Sequence, residues 1–338
     1  MKTFRFSLVA LVATALFTAC TNEVVVESKP ISGAQEISFR LQGGTPETRT
    51  TATTNLNIDA FVVYGADDVT TAASANLFDS VTVARRSDDV FDYNPKKYYS
   101  IGAATASFFA YSPVSANISS FANVDPLANA SFNYEVKVPN ATGNTVQEDL
   151  LVAGTDLASI TTTPVALNFT HALSRIFVKA TNSLTENVVI TKLTLKGLKS
   201  KGTITGTPAN PTWAWAWSAQ SDTISYHYIL AETGVAVKAG INIPTLVTSM
   251  EQGMMVIPQA VVVDDGDGLY NGLEFALEVT YDVANLTDQK AHVLFTSPQA
   301  FALNNQYAII LDFTGGTNLI EIKFTVNVNP FGTPIDVP

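Results

Sequence analysis

The most regular stretch of the chain is Ile320-Glu321-Ile322-Lys323-Phe324-Thr325-Val326-Asn327-Val328-Asn329. Apolar and polar side chains alternate strictly along it, which predicts a β-strand with one buried face and one wet face. Pro330 ends the pattern because proline has no N–H to donate to a neighbouring strand. The stretch therefore predicts a protein built from strands.

The rest of the sequence favours the same fold class. Short apolar segments rich in β-branched and aromatic residues recur at intervals of roughly ten residues, and turn-forming residues separate them. Almost no 3.6-residue periodicity accompanies them. This arrangement is typical of all-β sandwiches or barrels.

A second, shorter alternation lies near the N terminus. Its apolar positions are Ile37, Phe39 and Leu41. The polar segment 43–50 follows and contains one basic residue, Arg49. A flexible polar loop with a basic residue is a good protease target, so we expect a strand followed by a cleavable loop.

Composition excludes several function classes. The 338 residues carry 19 Lys+Arg against 30 Asp+Glu, a formal net charge of −11. Such an acidic chain argues against nucleic-acid partners and against attraction to anionic membranes. One cysteine and three histidines leave little for a disulfide or a Cys/His metal centre. The length allows two domains of about 150 residues each.

The first twenty residues have the pattern of an export signal. Lys2 and Arg5 precede the apolar run 6–17, which is too short for a permanent membrane span but suits a secretory signal. The end of the run, Thr18-Ala19-Cys20, resembles the lipobox of bacterial lipoproteins, in which a lipid is attached to the cysteine sulfur. The alternative is ordinary signal cleavage that leaves Cys20 as a free thiol.

A set of motifs follows this signal in a fixed order along the chain. The motifs are Tyr93-Asn94-Pro95-Lys96-Lys97-Tyr98-Tyr99, Ser107-Phe108-Phe109-Ala110-Tyr111-Ser112-Pro113, Glu148-Asp149-Leu150-Leu151-Val152-Ala153, Leu167-Asn168-Phe169-Thr170-His171-Ala172-Leu173-Ser174-Arg175-Ile176, Met254-Met255-Val256-Ile257-Pro258-Gln259 and Asn305-Gln306-Tyr307. Together they resemble the fimbrillin family of Bacteroidetes, the type V pilins. The resemblance implies an all-β chain with two tandem transthyretin-like Greek-key β-sandwich domains.

The Thr- and Ser-rich segment 156–164 indicates a domain boundary near Thr161. Together with the resemblance, it predicts a lipoprotein signal peptide (1–19), a propeptide with a tether and a removable first strand (20–49), an N-terminal sandwich (50–160) and a C-terminal sandwich (161–338). The last of these ends in a candidate donor strand, 319–329.

Processing and assembly are implied in the same way. An arginine-specific protease would cut between Arg49 and Thr50 and remove the strand of Ile37, Phe39 and Leu41. The C-terminal strand of another subunit would then fill the groove through its apolar face. That face consists of Ile320, Ile322, Phe324, Val326 and Val328.

The expected partners are further copies of the chain in a head-to-tail polymer and other fimbrial subunits, the anchor and the tip. Before processing, the lipid on Cys20 would hold the chain at the outer membrane. After processing, the subunit would belong to a surface fimbrium that supports adhesion. We expect no cofactor, no metal and no nucleic-acid partner.

The sequence leaves alternatives open. Arg40 is a rival cleavage site, although it lies inside the predicted strand, and the C-terminal strand has the option of pairing within its own domain. The chain would then be an anchor or tip subunit, or a non-polymerising surface lipoprotein that binds glycans.

Two other features compete for a function. Trp213, Trp215 and Trp217 alternate with alanines, so one strand face would either stack on sugars or pack as a core face. Asp264-Asp265-Gly266-Asp267-Gly268 has the composition of a cation loop but lacks the ligand spacing of an EF-hand, which favours a hairpin turn. The sequence contains no GxSxG, HExxH or P-loop motif, and we predict that the chain is not an enzyme.

Overall fold

A computed structural model gives the architecture of the protein. It describes residues 35–42, 58–69, 77–87, 90–125, 129–137, 147–209, 213–229, 234–248, 253–295, 300–316 and 319–330. The secondary structure of these residues is entirely β, as the alternation at the C terminus predicts. Within the same residues, no helix is long and apolar enough to cross a membrane.

The longest strands lie in the second half of the chain. They are β1 (Phe39–Leu41), β2 (Ala60–Asp67), β3 (Phe78–Ser87), β4 (Val90–Asp92), β5 (Ala106–Ser112), β6 (Ile118–Asp125), β7 (Asn129–Glu135), β8 (Leu151–Leu157), β9 (Val165–Leu167), β10 (Thr170–His171), β11 (Ser174–Asn182), β12 (Val188–Pro208), β13 (Trp213–Ile229), β14 (Val235–Val237), β15 (Ile241–Leu246), β16 (Met254–Val256), β17 (Gln259–Ala260), β18 (Ala276–Val283), β19 (Leu286–Leu294), β20 (Ala300–Phe301), β21 (Asn305–Gly316) and β22 (Leu319–Pro330).

Three larger sheets carry the fold. A six-stranded sheet has the order β10-β8-β5-β2-β3-β4, and a five-stranded sheet has the order β15-β11-β21-β22 with β16 also paired to β11. A seven-stranded sheet has the order β19-β18-β12-β7-β6, with β13 and β14 also paired to β12. The pairs β1-β9 and β17-β20 form two small sheets.

Strand pairs cross the domain boundary that the sequence places between residues 160 and 161. β7 pairs with β12, from Glu135 opposite Lys201 to Ala130 opposite Gly206. β9 and β10 follow the boundary in sequence but pair with β1 and β8, which precede it. The two halves of the chain therefore share a sheet, and the first half is completed by strands that follow residue 161.

The six-stranded sheet separates two hydrophobic cores. Along β2, Val62 and Tyr64 belong to the larger core, whereas Phe61 and Val63 belong to a smaller one. β5 divides its side chains between the same two cores. Successive side chains of a strand point to opposite faces, so a strand covered on both faces is apolar along its whole length. This is why residues 108–111, inside the motif 107–113, form a continuous apolar run rather than an alternation.

Phe39 occupies the centre of the smaller core, with 3% of its surface exposed. We expect Phe39→Ala to lower the free energy of unfolding by about 3–5 kcal/mol, because the cavity left by the ring cannot collapse fully. Urea denaturation followed by circular dichroism measures the change. Arg40→Ala is the matched control, since Arg40 is exposed on the same strand and its loss should cost less than about 0.5 kcal/mol. Equal effects of the two substitutions would contradict the central position of Phe39.

Candidate functional site

The first strand lies between two other segments of the chain. On one side β1 runs parallel to β9, with Phe39 opposite Val165 and Leu41 opposite Leu167. On the other side, Glu36 is paired antiparallel with Tyr98. The segment that bears β1, residues 35–42, therefore has hydrogen-bonded neighbours on both sides.

Backbone hydrogen bonds fix this segment at both ends. The amide of Ile37 donates to the carbonyl of Lys97 at 3.0 Å, and the amide of Tyr99 donates to the carbonyl of Gln35 at 3.1 Å. On the β9 side, the amide of Val165 donates to the carbonyl of Ser38 at 2.7 Å. The amide of residue 42 donates to the carbonyl of residue 167 at 2.8 Å. These groups would lose their partners if the segment left.

Side chains of the segment alternate between the core and the surface. Ile37 is 1% exposed, Phe39 is buried, and Leu41 is half-buried against the same core. The ring of Phe39 makes edge contacts with four aromatic rings. Their centroids lie 5.2 Å away for Phe78, 5.6 Å for Phe108, 5.9 Å for Phe61 and 6.0 Å for Tyr93. We call the space that residues 35–42 fill the strand slot.

Tyr93 binds the backbone of the segment as well as its side chains. Its hydroxyl donates to the carbonyl of Ile37 at 2.5 Å. Burial raises the pKa of Tyr93 to about 12, so the hydroxyl keeps its proton at neutral pH. A contact to a backbone carbonyl does not depend on the side chains of the strand. Tyr93 can therefore hold any strand that enters the slot in the same direction.

Lys96 adds an electrostatic contact at the mouth of the slot. Its Nζ lies 2.8 Å from a carboxylate oxygen of Glu36 and 2.8 Å from one of Asp92. Hydrogen bonds to both carboxylates raise the pKa of Lys96, those to Asp92 first. The pair with Glu36 is partly exposed, so it orients the segment more than it stabilises it.

The C-terminal strand pairs within its own half of the chain. β22 is antiparallel to β21 over its whole length, from Leu319 opposite Gly316 to Pro330 opposite Asn305. It is an edge strand of the five-stranded sheet. The structure thus has the intramolecular pairing that the sequence leaves open as an alternative to donation.

The apolar face of β22 is only partly buried. Ile322, Phe324 and Val326 are half-buried and pack against the larger core, where the ring of Phe324 lies 4.5 Å from that of Phe295. Val328 is 48% exposed. The side chain of Ile320 lies outside the described residues, as do Cys20, Arg49 and Thr50.

Comparisons with known families and structures identify the type of protein. A family model described as fimbrillin-like matches residues 48–330. The chain belongs to the fimbrillin-like family. No curated protein matches the sequence.

Two crystal structures resemble the fimbrillin-like chain. One is a fimbrial protein from Bacteroides vulgatus ATCC 8482, with 16% identity and a TM-score of 0.60 over 88% of this chain and 99% of that one. The other is a candidate cell adhesion protein from Bacteroides ovatus ATCC 8483, with 14% identity and a TM-score of 0.51 over 88% of this chain and 97% of that one. At these identities the likeness shows the fold. Family membership places the fimbrillin-like chain among cell-surface fimbrial proteins.

The first of the three alternating tryptophans faces inward. Trp213 is 6% exposed, its ring lies 6.0 Å from that of Phe109, and its indole N–H donates to Asp156 at 3.1 Å. A Cβ atom at Gly154 would collide with this ring, so the glycine makes room for it. Trp213 therefore has no open face on which a sugar could stack.

The other two tryptophans are half-buried against the larger core. The ring of Trp215 lies 5.9 Å from that of Trp213, and the indole N–H of Trp217 donates to the carbonyl of Ala172 at 2.7 Å. These contacts match the packed core face, which is the alternative to glycan contact that the sequence offers. The alternation places all three rings on one face of β13, because side chains two residues apart share a face.

The acidic loop forms a hydrogen-bonded turn. Carboxylates of Asp264, Asp265 and Asp267 lie within 4.8 Å of one another. Each also accepts a hydrogen bond from a loop amide two or four residues further on. Gly266 and Gly268 have positive φ angles of 101° and 71°, which a side chain would disfavour. The carboxylates therefore accept hydrogen bonds within the loop. The loop joins β17 to β18, which belong to different sheets, so it is not the hairpin turn that the sequence favours.

His171 is hydrogen-bonded rather than exposed to solvent. Its Nδ1 lies 2.7 Å from a carboxylate oxygen of Asp149, and both side chains are largely buried. The pair joins β10 to the end of the loop before β8. It fits the hydrogen-bonded core histidine that the sequence favours over a ligand or a catalytic base.

The sequence does not predict which residues surround the strand slot. The segment 93–99 is recognised there as a motif, but its sequence does not indicate that the Tyr93 hydroxyl binds the first strand. The sequence also does not indicate β9 as the parallel partner of β1, because about 125 residues separate the two strands. The only local signal was the short apolar segment of Val165, Ala166 and Leu167.

We expect Tyr93→Phe to lower the free energy of unfolding of the precursor by about 1–2 kcal/mol, because the buried carbonyl of Ile37 loses its hydroxyl donor. Urea denaturation at pH 7 measures the loss. Tyr270→Phe, in the loop before β18, is the control and should leave stability unchanged within about 0.5 kcal/mol.

The stability difference between the unmodified protein and Tyr93→Phe should also depend on pH. The folded-state pKa of Tyr93 lies near 12, against 10.0 for the ordinary side chain. The contribution of its protonated hydroxyl to the free energy of unfolding is therefore complete below pH 10 and is lost as the pH rises towards 12. The difference in stability between the unmodified protein and Tyr93→Phe should therefore narrow from pH 9 to pH 12. A constant difference across that range would contradict burial of the hydroxyl.

Proposed function

We propose that the chain is the structural subunit of a cell-surface fimbrium that supports adhesion. In this proposal the chain is exported as a lipoprotein on Cys20, cleaved after Arg49 and assembled by donor-strand exchange. The proposal assigns it no catalytic role and no cofactor. The observation that carries it is the buried first strand. It contacts the core non-covalently, and the chain that joins it to the rest of the fold runs through Arg49.

The position of the strand relative to Arg49 is what makes a single cut sufficient. Cleavage after residue 49 would separate residues 35–42 from the rest of the chain without breaking any other segment of the fold. Arg40, the rival site, lies in β1 opposite Ala166 of β9. A strand that is hydrogen-bonded in a sheet is a poor protease substrate. The match to the family model begins at residue 48, beside the proposed cut.

An emptied strand slot would strongly favour a new occupant. Burying side chains such as Ile37 and Phe39 stabilises a protein by about 1.5–3 kcal/mol each. Each backbone group left without a partner costs about 1–3 kcal/mol. The slot would leave several such groups, among them the amides of Val165 and Tyr99. An extended strand with alternating apolar residues satisfies both needs, as in other cases of strand addition.

β22 has the properties of a donor. It is extended over 12 residues and lies at a sheet edge, and its apolar face is half-buried rather than buried. Withdrawing it would therefore expose less new apolar surface than withdrawing a central strand. In an anchor or tip subunit, the alternative role, β22 would keep the pairing with β21 that the structure has.

Donation from one subunit to the next is a head-to-tail contact. Such a contact does not close on itself unless the rotation between subunits forms a ring, so it propagates a fibre. The partners would be copies of this chain and the anchor and tip subunits at its ends. Cleavage would also separate the subunit from the lipid on Cys20, so the outer-membrane precursor and the fimbrial subunit would be successive states.

Arg49→Ala tests the processing step. We expect the variant to accumulate as full-length lipidated precursor and to give no ladder of oligomers on gels, because the first strand stays in its slot. N-terminal sequencing of the unmodified surface protein should begin at Thr50. Arg40→Ala is the matched control and should be processed and polymerised normally. Ladders that persist in Arg49→Ala would overturn the mechanism.

Cys20→Ser tests the lipid anchor. We expect the variant to take up no labelled fatty acid and to leave the membrane fraction, because the thioether that carries the lipid cannot form. Fractionation and acyl labelling of cells measure both effects, and Thr21→Ser serves as the control. Labelling that survives in Cys20→Ser would show that Cys20 does not carry the acyl chain.

A further inference from the structure

The first and last strands of the chain carry the same short pattern. Residues 36–41 read Glu-Ile-Ser-Phe-Arg-Leu, and residues 321–326 read Glu-Ile-Lys-Phe-Thr-Val. Glutamate, isoleucine and phenylalanine coincide at the first, second and fourth positions, and an aliphatic residue stands at the sixth. The positions between them are polar in both strands. The shared residues are thus the apolar face and the acidic residue that precedes it.

Each shared position has a defined contact in the strand slot. Glu36 binds Lys96, and Ile37 is buried beside Tyr93. The ring of Phe39 packs among four aromatic side chains, and Leu41 is half-buried against the smaller core. The polar residues at the third and fifth positions differ between the two strands and point away from the core, where a change of side chain costs little.

We propose that β22 is an internal copy of the first strand and that it enters the slot of a second copy of this chain in the matching register. Ile322 takes the place of Ile37, Phe324 that of Phe39, and Val326 that of Leu41, while Glu321 faces Lys96. The donated strand runs parallel to β9, as β1 does. This assignment rests on the proposed function and adds the register and direction of the donated strand.

Burial and hydrogen bonding both favour this exchange. Phe324 is half-buried in its own sheet, whereas Phe39 in the slot is 3% exposed, so the same type of side chain is better shielded there. β22 is an edge strand, whereas the slot offers hydrogen-bonding groups on both sides. The match ends at Val326, so Val328 lies beyond the slot.

A disulfide reports the register directly. Glu36 and Tyr98 form a non-hydrogen-bonded antiparallel pair. The backbone hydrogen bonds join the residues on either side of this pair. The Cα atoms of such pairs lie about 4.5 Å apart, within the range that a disulfide spans. In the proposed register, residue 321 of the donor stands where Glu36 stands in the precursor. The double variant Tyr98→Cys, Glu321→Cys should therefore form cross-links between subunits.

The matched control is Tyr98→Cys with Lys323→Cys. Two residues along a strand add about 6.8 Å, which puts the Cα atoms about 8 Å apart and out of disulfide range. Both full-length variants are exported, processed, oxidised and run on gels after boiling without reductant. We expect a covalent ladder for the 321 pair that reductant removes, and at least tenfold less cross-linking for the 323 pair.

The outcomes separate the register from the proposed function. Filaments that form with cross-links only in the 323 pair, or in neither pair, would overturn the register and leave strand exchange intact. Failure of the unmodified processed protein to form filaments by electron microscopy would overturn both. Cross-links in the 321 pair alone support the register.

A second measurement needs no variant of the protein. A synthetic peptide of residues 319–330 should slow polymerisation of the unmodified processed protein, because it competes for the slot. Phe324→Ala in the peptide should weaken inhibition at least tenfold, whereas Val328→Ala should not change it. The reverse ranking of the two peptides would show a shifted register and overturn the assignment.

Discussion

The insertion of the Phe39 ring among four aromatic side chains is the contact on which the first half of the molecule depends. The ring belongs to a three-residue strand that could not persist alone, since an isolated short strand has too little burial to offset its ordering entropy. Backbone bonds on both sides and the Tyr93 hydroxyl hold it in place. The smaller core is therefore built around a segment joined to it by a single chain connection.

Because there are two hydrophobic cores, loss of residues 35–42 would affect mainly one of them. Residues 35–42 contact the smaller core, whereas β11, β12, β18 and β21 build the larger one. The six-stranded sheet lies between them, and its strands β2, β5 and β8 contribute side chains to both cores. Loss of the first strand would therefore open one core and leave the other covered. In the proposed mechanism, this separation would let the subunit stay folded while its slot is open.

Local patterns in the sequence were sufficient for the fold class and for two of its strands. Period-two alternation at 37–41 and 320–329 predicts strands, because each has one dry and one wet face. Pairing was not predictable from such patterns. β1 meets β9 across about 125 residues, and β7 joins β12 across the expected domain boundary, so long-range packing decides both. The intramolecular pairing of β22 likewise depends on β21, whose central run 307–311 is apolar without alternation.

The parallel alignment of β1 with β9 sets a direction for anything that replaces it. An occupant must present its carbonyl to Tyr93 and its acidic residue to Lys96, and only one chain direction does both. A fibre assembled through this slot would be polar, with every subunit oriented alike. One end would display an open slot and the other an undonated strand. The two ends would then differ in chemistry, and growth and capping would take place at ends that other proteins can tell apart.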